Sequence, residues 1–363
     1  MLAADYCTPQ SGNFVASIIA LARRLREDGH KVLFVFPEER EWQEWIHREG
    51  FNVVCTGKEN LSSEKQFQTL KDIVEQYNIE LIHSHFGMFH HAIVYDRKKI
   101  KQIKIVLHDH MDFSIHPGIV AQYFRMIIWS FIYSVKKIRV ISVMKRKHRS
   151  YWFLTKKWYV PNGLSMERNI KVSMSREECR KKLGMRNNDK VVFMLGWDMK
   201  GKGLDIALKA VKECREKNPD ICFGIIGVGN PPSEFAKEFI SSETGIDYKS
   251  EWIHFFESQE DMFAVHRAVD VYISSSRKGA FSYGLLEAIS QNTPVVVSDI
   301  PGTRWAEEYD NSFFYSTENV CECSEAILAA LKCGRCESNA REIVDKYGID
   351  QWINEIIKIY DEI

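Results

Sequence analysis

The chain has 363 residues, 45% of them hydrophobic, enough to fill two ordinary cores and too many for one. Forty-nine lysines and arginines balance 49 aspartates and glutamates, so no overall basic field marks a general nucleic-acid binder. The nine cysteines, odd in number and mostly scattered, fit reduced thiols rather than a disulfide framework.

Met1 leads straight into LAADYCTPQSG with no basic n-region, so no signal peptide is expected and the chain reads as cytoplasmic. Only Leu2–Tyr6 precede the Pro9-Gln10-Ser11-Gly12 turn, which predicts a first strand cut short at its start. Amphipathic Val15–Asp28 follows, then apolar runs at 32–36, 80–85, 104–110 and 138–143 that read as strands. The turn Pro161-Asn162-Gly163 separates this half from a second series. There the strands read at 191–196, 221–227, 252–256, 270–276 and 294–299, with amphipathic Asp205–Lys217 among the helices between them. Strands alternating with helices predict a parallel sheet covered on both faces, and the series occurs twice. The expected fold is therefore α/β, two Rossmann-like doubly wound domains facing a cleft. Ligands are expected at the carboxyl ends of the strands. The expected domains are residues 1–160 and 161–345, with a last helix in 346–363 that crosses back to the first domain.

Residues 119–137, IVAQYFRMIIWSFIYSVKK, form the most hydrophobic segment. Too short and too interrupted by Arg125 to span a bilayer, it reads either as a packed helix or as a membrane-surface helix with flanking lysines. Cys321, Cys323, Cys333 and Cys336 form a C-x-C…C-x-x-C pattern. The helical spacer between the pairs holds them ~15 Å apart, which does not suit one zinc ion.

Seven of the twelve histidines fall between His83 and His116. His83 and His85 share a face of one strand by alternation, as do His108 and His110 on another. Two H-x-H pairs with Asp109 or Asp112 nearby resemble hydrolase metal ligands. Neutral imidazoles also suit sugar recognition and proton handling.

In the segment 271–299, VYISSSRKGAFSYGLLEAISQNTPVVVSD, an apolar strand enters a turn of small residues, and a short helix carrying Glu287 follows. Helix N-termini present unpaired N–H groups that bind phosphate, so the unit reads as a nucleotide diphosphate site.

VPNGL (160–164), GWDMKGKGLDIALKAV (196–211), IIGVGN (225–230) and the 271–299 segment occur in the order seen in retaining glycosyltransferases of family four. GHKVLFV (29–35) and the Ser11-Gly12 turn resemble that family's opening. The resemblance implies the GT-B fold and a nucleotide-sugar donor, UDP-linked, held by the second domain with no cofactor and no metal. It is strongest to bacterial enzymes that build capsular or other surface polysaccharides. The implied acceptor is a sugar or lipid-linked saccharide, used in the cytoplasm or at the inner face of the membrane.

Residue by residue, Lys202 matches the lysine that neutralises the diphosphate, with Lys200 as a second cation. Trp197 stands where the family has an arginine. Glu287 matches the second glutamate of the E-x7-E pattern and would bind ribose, but Gly279 replaces the first, which touches the transferred sugar. Ser282, Tyr283, Gly284 and Leu285 would offer backbone N–H groups to the phosphates, with Gly196 and Gly227 lining the nucleotide. His108 and the Gly12 turn would come from the first domain, with His110 in reserve and His85 on the acceptor side. The catalytic set implied is His108, Lys202 and Glu287. The departures at Trp197 and Gly279 leave a non-catalytic relative open, and the histidine cluster a metal-dependent hydrolase.

Overall fold

The structure is a computed structural model and describes residues 1–57, 63–95, 102–110, 120–145, 154–169, 173–335 and 337–363. It divides into two compact units, Met1–Gly163 with Ile349–Ile363, and Leu164–Gly348.

In the first unit the chain runs β1 (Leu2–Ala4), α1 (Gly12–Glu27), β2 (Leu33–Phe36), α2 (Gln43–Arg48), β3 (Asn52–Cys55) and α3 (Ser63–Tyr77). It continues through β4 (Leu81–His85), α4 (His90–Tyr95), β5 (Lys104–Asp109), α5 (Val120–Val135), β6 (Arg139–Ser142) and β7 (Lys157–Tyr159). The seven strands lie in the order β3-β2-β1-β4-β5-β6-β7, every pair parallel. The order reverses between β1 and β4, so the turn carrying Gly12 and the end of the strand carrying His83 and His85 meet at that reversal. Such switch points leave a crevice where two connections depart to opposite faces, and ligands bind there.

In the second unit come α6 (Arg176–Lys182), β8 (Lys190–Leu195), α7 (Leu204–Lys217), β9 (Ile221–Ile226), α8 (Glu234–Thr244), β10 (Ile253–Phe256) and α9 (Met262–Ala268). After them come β11 (Val271–Ser274), α10 (Tyr283–Ser290), β12 (Val295–Ser298), β13 (Ser312–Tyr315), α11 (Val320–Cys333) and α12 (Ser338–Tyr347). The parallel order β10-β9-β8-β11-β12-β13 reverses between β8 and β11. The turn with Lys202 and the loop with Gly279 therefore depart from neighbouring strands. The final helix, α13 (Ile349–Glu362), packs in the first unit, where Trp352 stacks near His108.

Helices on both faces explain why the central strands read as unbroken apolar runs. Val191, Val192 and Phe193 of β8 are fully buried, as are Val295, Val296 and Val297 of β12. Each such side chain contributes about 1.5–3 kcal/mol. The ten strands expected from the sequence, the short first one included, all form. Three more, β3, β7 and β13, do not show as apolar runs because they lie at sheet edges, are only three or four residues long, and are half-exposed along most of their length.

Cys321, Cys323 and Cys333 all lie on α11, and Cys321 and Cys333 point to solvent while Cys323 is buried. Cys336, Asp112 and His116 lie outside the described residues.

Candidate functional site

In the second unit, the turn after β8 is held by its own polar groups. Asp198 accepts from the Gly201 amide at 3.1 Å and its carbonyl accepts from the Lys202 amide at 2.7 Å. Gly203 adopts φ +71 at the cap of α7, and a Cβ there would lie 2.1 Å from the Ser275 carbonyl oxygen. Only glycine permits that approach. Ser275 ties the two switch-point segments together by donating to the carbonyls of Lys202 and Gly203, both at 2.9 Å.

Lys202 is half-buried, with its ammonium 5.2 Å from the centre of the Trp197 ring. Burial lowers its pKa, opposed by Asp198. Among the described residues it forms no ion pair, so it is a partly desolvated cation held at a strand switch. Trp197 itself is 69% exposed and replaces a charge with a cation–π face. Lys200 is committed elsewhere, to Glu243 at 2.7 Å and Asp205 at 3.7 Å, so a phosphate would compete with two carboxylates for it.

Arg277 is committed too. It donates two parallel bonds of 2.8 Å to Asp205 and lies 2.6 Å from Glu318. Burial pushes the Asp205 carboxyl up, but the Arg277 hydrogen bonds and charge outweigh it and hold it below the usual range. This clamp fixes the first turn of α7 against the loop after β11. The sequence names Arg277 and Asp205 separately. Nothing in their spacing, 72 residues apart, signals that they pair.

Gly196 and Gly227 end adjacent strands. A Cβ at Gly196 would meet Ile225 Cδ1 at 2.7 Å, and one at Gly227, which has φ +106, would meet the Trp197 amide at 2.9 Å. Both serve close backbone approach, and the Gly196 amide already donates to Ile226.

Ser282 caps α10, its Oγ accepting from the Leu285 amide at 3.4 Å. That amide is therefore engaged within the helix, whose first turn begins with Tyr283 and Gly284. Gly284 is forced by Tyr272, whose hydroxyl would lie 2.5 Å from a Cβ. Glu287 is not a surface charge. It is 5% exposed, with Oε2 at 3.8 Å from His266 Nε2. Burial first, and the charge of Glu287 second, push the Tyr272 hydroxyl up. Gly279 has open space: an added Cβ would find only Ile300, at 3.8 Å.

In the first unit, β4 and β5 pair so that His85 faces His108. The four histidines form a two-by-two array. His83 Nε2 lies 3.1 Å from His108 Nδ1, and His85 Nδ1 lies 2.9 Å from His110 Nε2. The layers stack, His83 on His85 at 4.1 Å and His108 on His110 at 4.2 Å between ring centres. Tyr360 closes one layer through His83 Nδ1 at 2.5 Å, and Asn162 closes the other through His110 Nδ1 at 3.2 Å.

With Asn162 presenting its carbonyl oxygen, His110 donates from Nδ1 and accepts at Nε2 from His85. His85 Nε2 is left as a buried lone pair, and His108 Nε2 is also buried without a partner. Burial, and then the neighbouring imidazoles, hold His83, His85 and His108 well below the usual histidine range. Burial lowers His110 to about 3 against the opposing Asn162 bond. The rings are neutral at physiological pH. Only His110 of the four is partly exposed.

The Gly12 turn lies against this array. Gly12 has φ +57, a Cβ there would lie 2.7 Å from the Tyr6 hydroxyl, and Phe14 sets its ring edge-on to His85 and His110. His83, His85 and His108 offer ligand atoms within 4.8 Å of one another, as do Asp189, Cys222 and His254 at the amino ends of β8, β9 and β10 in the second unit. A cation entering the histidine array would displace hydrogen bonds that already use both nitrogens of His83.

Residues 15–168 match the profile described as Glycosyltransferase Family 4, and residues 175–351 match Glycosyl transferases group 1. Together they account for nearly the whole chain. The chain belongs to glycosyltransferase family four. Among curated relatives of this family-four chain, the D-inositol 3-phosphate glycosyltransferase of Corynebacterium aurimucosum is 29% identical over 132 residues, 35% of this chain and 31% of the relative. The match thus spans about a third of that relative's length. A Rickettsia africae glycosyltransferase superposes with TM-score 0.75 at 16% identity, over 99% of this chain and 97% of that one. Anabaena HepE, solved with UDP and glucose, superposes with TM-score 0.77 at 15% identity, over 100% and 99%. The fold is GT-B.

Proposed function

We propose that this family-four chain transfers a sugar from a nucleotide-diphosphate donor, UDP-linked, to a hydroxyl of a sugar or lipid-linked saccharide. The proposed reaction retains anomeric configuration, uses no metal and serves surface polysaccharide synthesis at the inner membrane face. The observation that carries the reading is Lys202, a half-buried cation with no ion pair among the described residues, tied by Ser275 to the loop that feeds the α10 N-terminus. A diphosphate would give this cation a counter-charge. The HepE complex with UDP and glucose supports the same choice of nucleotide.

In this reading the bond between the anomeric carbon and the phosphate oxygen breaks, and charge develops on the departing diphosphate. Lys202 and the Tyr283 and Gly284 amides stabilise that charge, which is where electrostatic catalysis acts most strongly. Glu287 holds the ribose. The acceptor hydroxyl closes on the anomeric carbon from the face the diphosphate leaves, and its proton passes to the departing diphosphate oxygen, so the anomeric configuration is kept. Within the histidine array, His110 has the exposure to touch sugar and His108 stands behind it, neutral and able to exchange hydrogen-bond roles.

The test is release of nucleoside diphosphate from UDP-sugars in the presence of saccharide acceptors. Lys202→Ala is expected to lower kcat by ~100-fold or more, and Glu287→Ala to raise the donor KM. Release that is unchanged in both variants would remove the reading. Inversion of the product anomer would remove its retaining part.

A second reading has specific support. Gly279 lacks the sugar-touching carboxylate, Trp197 lacks the arginine charge, and the nearby cation Arg277 is tied to Asp205 and Glu318. A chain that binds nucleotide-sugar without turnover would show donor binding with no diphosphate release.

A further inference from the structure

We propose that α5 is a docking surface for an anionic lipid bilayer, on which the helix lies in the plane of the membrane. Two independent observations meet there. The first is shape and exposure. Phe124, Ile127, Ile128, Phe131 and Val135 are 48–64% exposed and recur at helical spacing, so they form one apolar stripe. The opposite face is the one that packs: Tyr133 is in the core, and Ser130 is buried and accepts the Leu154 amide at 2.7 Å. Leu154, 48% exposed, widens the apolar surface beside the helix.

The second observation is charge. The chain as a whole is neutral, yet between Phe113 and Met166 it carries ten lysines and arginines and not one aspartate or glutamate. The rest of the chain therefore has an excess of ten carboxylates. Lys136 and Lys137 follow directly on α5, and Lys157 lies on the neighbouring edge strand, β7. Lys156 pairs with Glu362, but Lys137, Lys145 and Lys157 pair with no carboxylate among the described residues.

An apolar stripe within a segment of basic residues that holds no carboxylate is what an anionic headgroup layer over acyl chains complements. A second copy of this chain does not complement it, because a two-fold contact would set the same basic segments against each other. The helix cannot cross. Its 16 residues extend ~24 Å, short of the ~30 Å hydrocarbon core, and no described helix is long and apolar enough to span a membrane. The inference gives a physical basis to the membrane-face part of the proposed function, but it requires no donor chemistry.

Co-sedimentation of the full chain with vesicles of phosphatidylcholine alone, and with phosphatidylglycerol added, tests it. Binding is expected to the anionic vesicles only and to weaken at high salt. Phe131→Glu is expected to lower the partition ~10-fold or more with an unchanged melting temperature. Phe235→Glu, at a still more exposed phenylalanine of the second unit, is expected to leave it unchanged. Absence of binding to anionic vesicles at low salt overturns the proposal, and so does equal loss in both variants. A dimer in light scattering that Phe131→Glu dissolves would assign the face to a second copy instead. Vesicle binding by a chain that releases no diphosphate would sink the transferase reading and leave this one standing.

Discussion

Four imidazoles stacked inside the first unit are stable only while neutral. Each is held below its ordinary pKa of about 6.5 by burial. The unfolded chain takes up protons as pH falls through that value and the folded chain does not. Stability is therefore present above about pH 6.5 and is lost as pH falls toward the folded values, at about 1.4 kcal/mol per imidazole per pH unit. The melting temperature is expected to fall steeply between pH 7 and 5, less so in His85→Asn. A flat profile over that range would mean the rings are not buried neutral. Gly279 gives the opposite kind of prediction, one of tolerance. With only Ile300 near an added Cβ, Gly279→Glu is expected to change stability by no more than about 0.5 kcal/mol. It is expected to alter rate or sugar preference, and if both stay as they were, the missing carboxylate is irrelevant.

At this scale the sequence was partly legible. Alternation places His83 with His85 and His108 with His110, but Asn162 and Tyr360, which close the array, come from 52 and 277 residues away. Long-range partners of this kind have no local signature. Lys200 illustrates the same limit: beside Lys202 it looks like a second phosphate cation, and the fold turns it toward Glu243.

At the scale of elements, α10 is the short helix on which donor binding depends. Ser282 at its cap is visible from the sequence as a serine ahead of an apolar stretch. Ser282→Ala is expected to cost about 1 kcal/mol in denaturant unfolding, and Ser282→Gly less. Equal stability of all three proteins would show that the cap carries no weight. The long apolar strands were readable because both their faces are covered. The edge strands β3 and β13 were not, because half-exposed positions accept polar residues and blur the pattern. Tertiary setting, not propensity, decides those segments.

For the whole molecule, two sheets with the same reversal of strand order place the Gly12 turn beside the histidine strand in one unit and the Lys202 turn beside the α10 loop in the other. The alternation of strands and helices foretold the paired sheets. Which residues meet at each reversal depended on connections the sequence does not mark. The central claim is that the second unit holds a nucleotide-sugar through Lys202 and Glu287. A ligand present at 100 times its Kd stabilises the native state by about 2.7 kcal/mol. The most direct measurement is thermal unfolding with a panel of nucleotide-sugars, for the natural chain and for Lys202→Ala and Glu287→Ala. A UDP-sugar is expected to raise the melting temperature of the natural chain, and either substitution to remove the shift. No shift with any nucleotide-sugar, or the same shift in all three proteins, would contradict the claim.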